Sequence, residues 1–227
     1  MSLAGPWKRK GSKALALLVK EIYPAIIGEG IDAGWPGLVA RLAGCNLRCS
    51  YCDTQYAWKG GKKRSVKEVV KIAREEGLGK ILLTGGEPLV QDEAIDLIAE
   101  LIKAGHQVII ETNGSLSLAR VPKKAHIIMD LKTPGSGEEG ANNFSNLEFL
   151  KPGDELKFVL CHAGDYDWAK ARVRMHRLDR KFVVNFSPAA GKLNAATLAR
   201  WMVRDRLKVR LNLQVHRLLF PARSRGV

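Results

Sequence analysis

Three cysteines lie within eight residues of one another in this chain of 227 residues. Cys45, Cys49 and Cys52 are separated by three and then two residues, a spacing that lets one loop supply three thiolates to a single centre. Four cysteines in a chain of this length do not make a disulfide scaffold, so the crowding of three of them indicates metal ligation. Ferredoxin-type carriers hold each cluster with four cysteines, so three ligands predict a [4Fe–4S] cluster with one iron left open for a small molecule.

A zinc site is the competing interpretation of these thiols, because Zn²⁺ also binds thiolate and could be completed by Cys161 or a histidine. Zinc modules usually show a second pair of ligands at short spacing, and the five histidines are not paired in that way. Cys161 follows an apolar run, where we expect a buried structural thiol rather than a fourth ligand. The cluster is the favoured interpretation.

Apolar runs separated by amphipathic segments predict the elements that must position this loop. Val66, Val69, Val70 and Ala73 mark one helical face, and a second face is predicted at Ile95, Ile98, Ala99 and Ile102. Alternation of strands and helices predicts an α/β fold with a mostly parallel sheet, open or partly closed into a barrel. The predicted strands are 38–43, 80–84, 107–112, 126–131, 155–160, 181–186 and 208–216.

Polar segments follow several of these runs. Residues 84–88, 111–114 and 130–134 stand at the ends of three predicted strands, and parallel α/β sheets bind ligands at the carboxyl ends of their strands. Residues 134–143 contain three glycines and no apolar period, so we expect the least ordered stretch there, either a mobile loop beside the site or a surface crossover.

Composition and charge place the chain among compact globular proteins. Hydrophobic residues make up 46% and charged residues 26%, and the length fits one α/β domain. The net charge of +14 comes from basic residues that are scattered without interleaved aromatic residues, so we expect a solvated basic surface and no direct contact with nucleic acid. No run approaches the roughly 18 apolar residues of a membrane span, and no signal cleavage site follows the first basic residues, so a cytoplasmic location is expected.

Two motifs together resemble the radical S-adenosylmethionine (SAM) superfamily. CxxxCxxC is the signature of that superfamily, and Gly85-Gly86-Glu87-Pro88 matches its GGEP motif at the end of the next predicted strand. The resemblance implies an α/β fold of a single domain, a partial (β/α) TIM-like barrel. It also implies that SAM chelates the open iron, that GGEP backbone groups meet its amino group, and that one electron cleaves it to a 5′-deoxyadenosyl radical.

Longer segments resemble one family within the superfamily, the 7-carboxy-7-deazaguanine synthases. The segments that carry this resemblance are residues 23–30, 41–49, 52–54, 213–217 and 225–227. The similarity runs from about Glu21 to the last residue. It therefore predicts a radical SAM catalytic domain over residues 21–227 and a basic N-terminal extension over residues 1–20.

Membership of this family would imply a ring contraction. 6-Carboxy-5,6,7,8-tetrahydropterin would become 7-carboxy-7-deazaguanine with loss of ammonia, on the route to deazapurine-modified tRNA. The adenosyl radical would abstract hydrogen from C6, SAM would be regenerated and Mg²⁺ would assist. The implied partners are the pterin substrate, a second copy of the chain in a homodimer, and an external electron donor such as flavodoxin or ferredoxin.

The resemblance also assigns residues by position. Thr54 matches the Mg²⁺ ligand, since a hydroxyl oxygen suits a hard cation, and Arg41 matches the arginine that binds the substrate's carboxylate with its planar fork. The other positions implied for the pterin are Ile26, Ile27, Gly28, Thr84 and Val227, the last through its terminal carboxylate. The family usually carries glutamine at the position of Ile27. The positions implied for SAM are Gly86, Glu87, Lys132, Thr133, Pro134, Phe186, Ser187, Pro188 and Ala189.

Two other functions stay open on the sequence. A glycyl-radical activating enzyme shares the CxxxCxxC spacing and the small size but acts on a protein glycine; a deep small-molecule pocket that encloses Arg41 and Val227 would argue against it. A non-catalytic zinc or RNA-binding module is suggested by the thiols and the positive charge. Metal analysis that finds zinc and no iron would favour that module.

Overall fold

The computed structural model describes residues 16–221 and residue 226. The strands are β1 (Ala16–Ile26), β2 (Pro36–Leu42), β3 (Lys62–Ser65), β4 (Lys80–Gly85), β5 (Gln107–Thr112), β6 (His126–Asp130), β7 (Glu155–Leu160), β8 (Val183–Pro188) and β9 (Arg210–Leu211). The α-helices are α1 (Val66–Glu76), α2 (Glu93–Lys103), α3 (Ala163–His176), α4 (Ala195–Arg204) and α5 (Val215–Leu219). Short 3₁₀-helices lie at Gln55–Ala57, Pro88–Val90, Pro134–Ser136, Glu139–Ala141, Phe144–Glu148 and Leu178–Arg180.

Within the described residues the strands form one mixed sheet in the order β3-β1-β2-β4-β5-β6-β7-β8-β9. β1 is antiparallel to both of its neighbours, and every pair from β2 to β9 is parallel. Because β3 and β9 are edge strands, the barrel is open on one side. The prediction of an α/β partial barrel is confirmed, and the carboxyl ends of the parallel strands meet at one edge.

The two predicted amphipathic helices are present, one with the expected face and one rotated. α1 starts with a capping box between Ser65 and Glu68, and the four residues predicted to face the core are buried. In α2 the buried residues are Ala94, Leu97, Ile98 and Leu101, whereas Ala99 is exposed. The face predicted for α2 was therefore wrong by about one residue along the helix. Apolar residues also lie beside the buried face, so the sequence pattern does not locate that face uniquely.

Two strands were not predicted from the sequence. β1 contains Lys20, Glu21 and Pro24, which interrupt its apolar pattern, although the buried Leu17 and Val19 alternate as a half-buried strand requires. β3 is a basic edge strand that pairs only with β1 in the described residues. β1 starts at Ala16, so the boundary predicted at residue 20 was wrong for residues 16–20, and residues 1–15 lie outside the described residues.

Two other predictions need correction. The strand predicted at 208–216 is a strand only at Arg210–Leu211, and its end belongs to α5. The stretch expected to be least ordered, 134–143, contains two 3₁₀-helices and the buried Ser136. The carbonyl of Ser136 accepts a hydrogen bond from the amide of Ser50 at 2.9 Å, so this segment supports the cysteine loop. Across residues 16–221, no helix is both long and apolar enough to cross a membrane.

Candidate active site

A cavity of about 620 Å³ lies at the carboxyl ends of the parallel strands. Cys45, Cys49 and Cys52 all line it, together with Arg41 and Thr84. Its floor is an apolar layer in which Val39, Leu82 and Ile128 pack against the buried Ile27 and Ile109. Small-molecule sites usually measure about 300–1,000 Å³, so the cavity has the size of such a site.

The cysteine loop is held by backbone hydrogen bonds at its start. Gly44 donates to the carbonyl of Ala57 at 2.8 Å, and its own carbonyl accepts from the amide of Glu87 at 2.8 Å. The Arg48 guanidinium donates to the carbonyls of Cys45 and Leu47 at 2.8 and 2.7 Å, which closes the loop on itself. The three thiols are thus presented to the cavity by a loop with fixed backbone geometry.

The three thiols are free, partly exposed and able to bind a metal centre. Burial raises the pKa of Cys45 and of Cys49, and the ammonium of Lys132 opposes that rise in both. A bound iron centre would favour the thiolate form, because coordination deprotonates a thiol. The donor set, three cysteines with Lys132 nearby, therefore fits a [4Fe–4S] cluster with three protein ligands.

Cys161 is buried and does not line the cavity, as predicted from its apolar surroundings. Burial raises the pKa of its thiol to about 11. Its sulfur lies 3.8 Å from the carbonyl of Gly135. This thiol is part of the packing behind the site.

The two glycines that end β4 allow the cysteine loop to approach the sheet. A Cβ on Gly86 would lie 2.2 Å from the carbonyl oxygen of Gly44 and 2.7 Å from Cβ of Cys45. A Cβ on Gly85 would lie 2.4 Å from the carbonyl oxygen of Leu42. A side chain at either position would displace the backbone, so only glycine fits this contact.

Glu87 does not line the cavity, because its side chain is fully buried. Its carboxylate accepts hydrogen bonds from the amide of Asn113 at 2.6 Å, from the amide of Leu89 at 2.9 Å and from the hydroxyl of Thr112 at 3.0 Å. Burial raises the pKa of Glu87, and these bonds lower it in part. The carboxylate thus ties the end of β4 to the end of β5.

Arg41 is held by a carboxylate and two tyrosines. Its Nε donates to Glu21 at 2.8 Å and its Nη2 lies 3.4 Å from the hydroxyl of Tyr23. Burial opposes the charge of Arg41, but Tyr23, Tyr56 and Glu21 raise its pKa above the ordinary value. Arg41 therefore stays charged at the cavity wall.

A buried ion pair on the opposite wall was not predicted from the sequence. Lys157 donates to Glu29 at 3.0 Å, and Gln214 donates to the same carboxylate at 2.8 Å. Burial works against both charges, yet their attraction lowers the pKa of Glu29 and raises that of Lys157. A lysine between Leu156 and Phe158 in a buried strand was the signal that could have revealed this pair.

Thr54 lies at the cavity beside a second carboxylate. Its hydroxyl donates to Asp53 at 2.8 Å, and Arg217 donates to the other oxygen of Asp53 at 2.9 Å. Burial raises the pKa of Asp53, but hydrogen bonds from Thr54, Arg217 and Gln214 outweigh it and bring the pKa to about 2. Hydroxyl and carboxylate oxygens are the ligands that Mg²⁺ prefers, so the donor chemistry fits that ion.

The start of α5 closes the cavity against the β1–β2 connection. The amide of Val215 donates to the carbonyl of Gly28 at 3.0 Å, and a Cβ on Gly28 would lie 2.0 Å from Nδ1 of His216. Burial lowers the pKa of His216, and the carboxylates of Glu29 and Asp53 oppose this shift. Gly28 is therefore the position that lets these two segments meet.

The structure brings most of the positions expected for SAM to the cavity, but not all. Gly86, Lys132, Ser187, Pro188 and Ala189 line it, and Lys132 donates to Asp130 at 2.8 Å. Besides Glu87, three of the positions expected for SAM do not line the cavity. Phe186 is part of the core, the hydroxyl of Thr133 donates to the carbonyl of Val159, and Pro134 is exposed.

The positions expected for the pterin are also divided. Ile26, Gly28, Arg41 and Thr84 line the cavity, and the hydroxyl of Thr84 donates to Glu111 at 2.8 Å. Ile27 is 1% exposed and belongs to the apolar floor. Its side chain therefore does not supply the polar contact that the glutamine usual at this family position would make. Val227 lies outside the described residues.

Comparisons with known proteins agree with this geometry. A sequence profile of the Radical SAM superfamily matches residues 40–137, which include the cysteine loop and the glycines of β4. A 7-carboxy-7-deazaguanine synthase from Koribacter versatilis is 38% identical over 92% of this chain and 99% of its own length. The chain belongs to the 7-carboxy-7-deazaguanine synthase family. A second member, from Chlorobaculum tepidum, is 38% identical over 93% of this chain and 97% of its own length.

Two solved structures support the fold. QueE from Escherichia coli aligns with a TM-score of 0.73 over 91% of this chain and 100% of that chain, at 21% identity. Streptococcus suis SuiB aligns with a TM-score of 0.56 over 75% of this chain, at 15% identity. The partial barrel is thus shared with two solved structures of low sequence identity, and membership of the 7-carboxy-7-deazaguanine synthase family rests on the sequence relatives.

Proposed function

We propose that the chain converts 6-carboxy-5,6,7,8-tetrahydropterin to 7-carboxy-7-deazaguanine with loss of ammonia, as a radical SAM carbon–nitrogen lyase. The observation that carries this proposal is one cavity lined by both the three cysteines and the charged Arg41. A cluster site alone would fit any radical SAM enzyme. A buried arginine on the same cavity adds a recognition group for a small carboxylate substrate.

The cavity residues fit a [4Fe–4S] cluster and SAM. Cys45, Cys49 and Cys52 would hold the cluster, and the chain beside Gly86, Lys132 and residues 187–189 would hold SAM. When bound, these groups supply the 5′-deoxyadenosyl radical that removes a hydrogen atom from the substrate. The residues of the cavity would hold the cluster and SAM in place, and the cavity wall would limit the entry of water.

Arg41 would orient the pterin by pairing with its carboxylate. Glu21 and Tyr23 already fix the guanidinium, so little side-chain entropy is lost when the substrate binds. On the other wall, the ion pair of Glu29 and Lys157 supplies a negatively charged acceptor and a positively charged donor of hydrogen bonds. Thr84 and Glu111 add a hydroxyl and a carboxylate between these walls.

Mg²⁺ would bind at Thr54. The hydroxyl oxygen of Thr54 lies at the cavity, and Mg²⁺ in proteins usually keeps several ligands from substrate and water. Asp53 places a carboxylate oxygen beside Thr54, and its other oxygen pairs with Arg217 at 2.9 Å. A Thr54→Ala variant would then need more Mg²⁺ for half-maximal turnover, while its cluster content stays the same.

Product analysis tests the reaction directly. Reconstituted protein is incubated without oxygen with SAM, a chemical reductant, Mg²⁺ and the carboxypterin, and the deazaguanine acid is measured by mass spectrometry. Formation of that acid with recovery of SAM is the expected result. Cleavage of SAM without the acid would overturn the substrate assignment while leaving the superfamily chemistry intact.

The proposed partners are a second copy of the chain and a small redox protein. Light scattering of the purified protein tests the homodimer, and a monomeric mass would contradict it. Flavodoxin or ferredoxin with its reductase should replace the chemical reductant in the product assay. The alternative of a glycyl-radical activating enzyme is less well supported, because the cavity that contains Arg41 suits a small molecule better than a peptide loop.

A further inference from the structure

The positive charge of this protein is concentrated in one part of the fold. Residues 168–210 contain 12 Lys and Arg against 2 Asp and Glu, so they contribute +10 of the net charge of +14. The sequence had suggested scattered basic residues, because these positions are spread over two helices and two turns. That expectation does not hold for residues 168–210, as the count itself shows.

The topology brings these basic residues to one end of the molecule. α3 leads into β8 through residues 177–182, and α4 leads into β9 through residues 205–209. β8 and β9 are parallel neighbours, with Asn185 opposite Arg210, so both turns lie at the amino ends of adjacent strands. The two helices are in contact, since the rings of Tyr166 and Trp201 are 5.3 Å apart.

We call the surface formed by the ends of α3 and α4 and by these two turns the basic face. Six of its exposed basic residues are Arg174, Arg177, Arg180, Lys181, Arg206 and Lys208, and Arg204 is a seventh. In residues 16–221, none of the six has a carboxylate within ion-pair distance. Asp205 is already paired with Lys170 and Arg204, and Asp179 is the other acidic residue of the face, so the face keeps a net positive charge.

Two arginines of the basic face occupy a backbone conformation that favours glycine. Arg177 has a φ of 51° and Arg206 a φ of 50°, and they are the only non-glycine residues with positive φ among those the structure describes. Arg177 ends α3, and Arg206 follows the residue that ends α4. Glycine is the usual residue at such positions, so arginine there has a conformational cost that glycine would not have.

We infer that the basic face binds the phosphate backbone of double-helical RNA. Arginine predominates, and its planar fork suits phosphate oxygens better than the point charge of lysine. The face consists of turns and helix ends, with no protruding helix or ribbon to enter the major groove of DNA. Such a face suits the wide, shallow minor groove of A-form RNA, which is recognised mainly through phosphates and 2′-hydroxyls.

Other partners fit the basic face less well. No aromatic side chain is among the exposed large apolar residues of residues 168–210, which are Met175 and Val203, so the face lacks a membrane anchor. An acidic electron donor must approach the cysteine loop at the carboxyl ends of the strands. The basic face lies at their amino ends, about 20 Å away for a six-residue strand.

The test measures binding of the reconstituted protein to a labelled RNA duplex of about 20 base pairs, longer than the roughly 16 that RNA-duplex domains span. Arg177→Gly combined with Arg206→Gly removes two charges and relaxes both strained positions, so the variant should melt no lower than the wild type. We expect the Kd to rise at least tenfold. The slope of log K against the logarithm of the salt concentration should become smaller in magnitude by about 2. Turnover of the carboxypterin should not change.

The matched control is Lys67→Gln with Lys71→Gln, which removes two exposed charges from α1, far along the sheet. This variant should bind the RNA as the wild type does. An equal loss of binding in the two variants would mean that only net charge matters, and would overturn the inference. Equal affinity for duplex DNA or for polyglutamate, or no loss in the glycine variant, would overturn it as well.

Discussion

Nε of Arg41 donates to Oε1 of Glu21 at 2.8 Å, and the same carboxylate oxygen accepts from the hydroxyl of Tyr56 at 2.6 Å. One atom thus joins β1, β2 and the 3₁₀-helix that follows the cysteine loop. The side chains of Arg41 and Glu21 are 15% and 19% exposed, so water screens this pair only in part. The guanidinium on the cavity wall and the 3₁₀-helix after the cysteine loop thus share one hydrogen-bond acceptor.

Glu21→Ala should destabilise the protein and weaken substrate binding. The change leaves a half-buried guanidinium without its carboxylate, which costs about 1–3 kcal/mol in the free energy of unfolding. Urea denaturation measures that cost, and steady-state assays should show KM for the pterin rising more than kcat falls. Glu75→Ala is the control, because its pair with Lys71 is exposed and worth less than about 0.5 kcal/mol. Equal stability of the two variants would contradict the prediction.

Lys157→Ala should be among the most destabilising changes at the cavity. It leaves Glu29 with an uncompensated charge where the two side chains are only 13% and 11% exposed, at a cost of about 3–5 kcal/mol. Adding Glu29→Gln should recover part of that loss, since the buried charge is then removed. Chemical denaturation of both variants gives the comparison. A double variant less stable than Lys157→Ala would show that the ion pair is not the cause.

Gly86→Ala should prevent assembly of the iron centre without unfolding the protein. The added Cβ meets the backbone of Gly44 and Cβ of Cys45, so the loop must move away from β4. Iron analysis after reconstitution should show a marked loss, while circular dichroism stays that of the wild type. Gly79→Ala, at the other end of the same strand, meets no atom within 4 Å and should bind iron normally. Full iron content in Gly86→Ala would refute the role given to this contact.

Asp205→Asn should show a stability loss that depends on pH. Hydrogen bonds from Arg204 and Lys170 hold the pKa of Asp205 well below its ordinary 3.8. A lowered pKa in the folded state stabilises the protein above the unfolded pKa, and this contribution is lost as the pH falls through the folded pKa. The difference in Tm between wild type and variant should be constant above about pH 5 and shrink below pH 4. A difference that grows at acidic pH would contradict this assignment.

The sequence predicted the parts of the site that depend on local spacing. The cysteine loop and the glycines that end β4 are contiguous motifs, and the parallel strands follow from buried apolar runs. Contacts between residues that are far apart in the chain could not be predicted from the sequence. Lys157 appeared to be one polar residue in a strand, and only the fold places it against Glu29.

Ile27 is a second residue whose environment could not be predicted from its own position in the sequence. A residue aligned with a polar family position was expected at the substrate, but the apolar floor of Val39, Leu82, Ile109 and Ile128 surrounds it. The basic face is a third case. Its arginines are separated along the chain by β8, and they meet because β8 and β9 are parallel and adjacent.

Gly28 and His216 meet although one lies in the first hairpin and the other in α5. Segments from opposite ends of the described chain therefore close one wall of the cavity, and the hydrogen bond from the amide of Val215 to the carbonyl of Gly28 joins them. A side chain at position 28 would push α5 outward and open that wall to water.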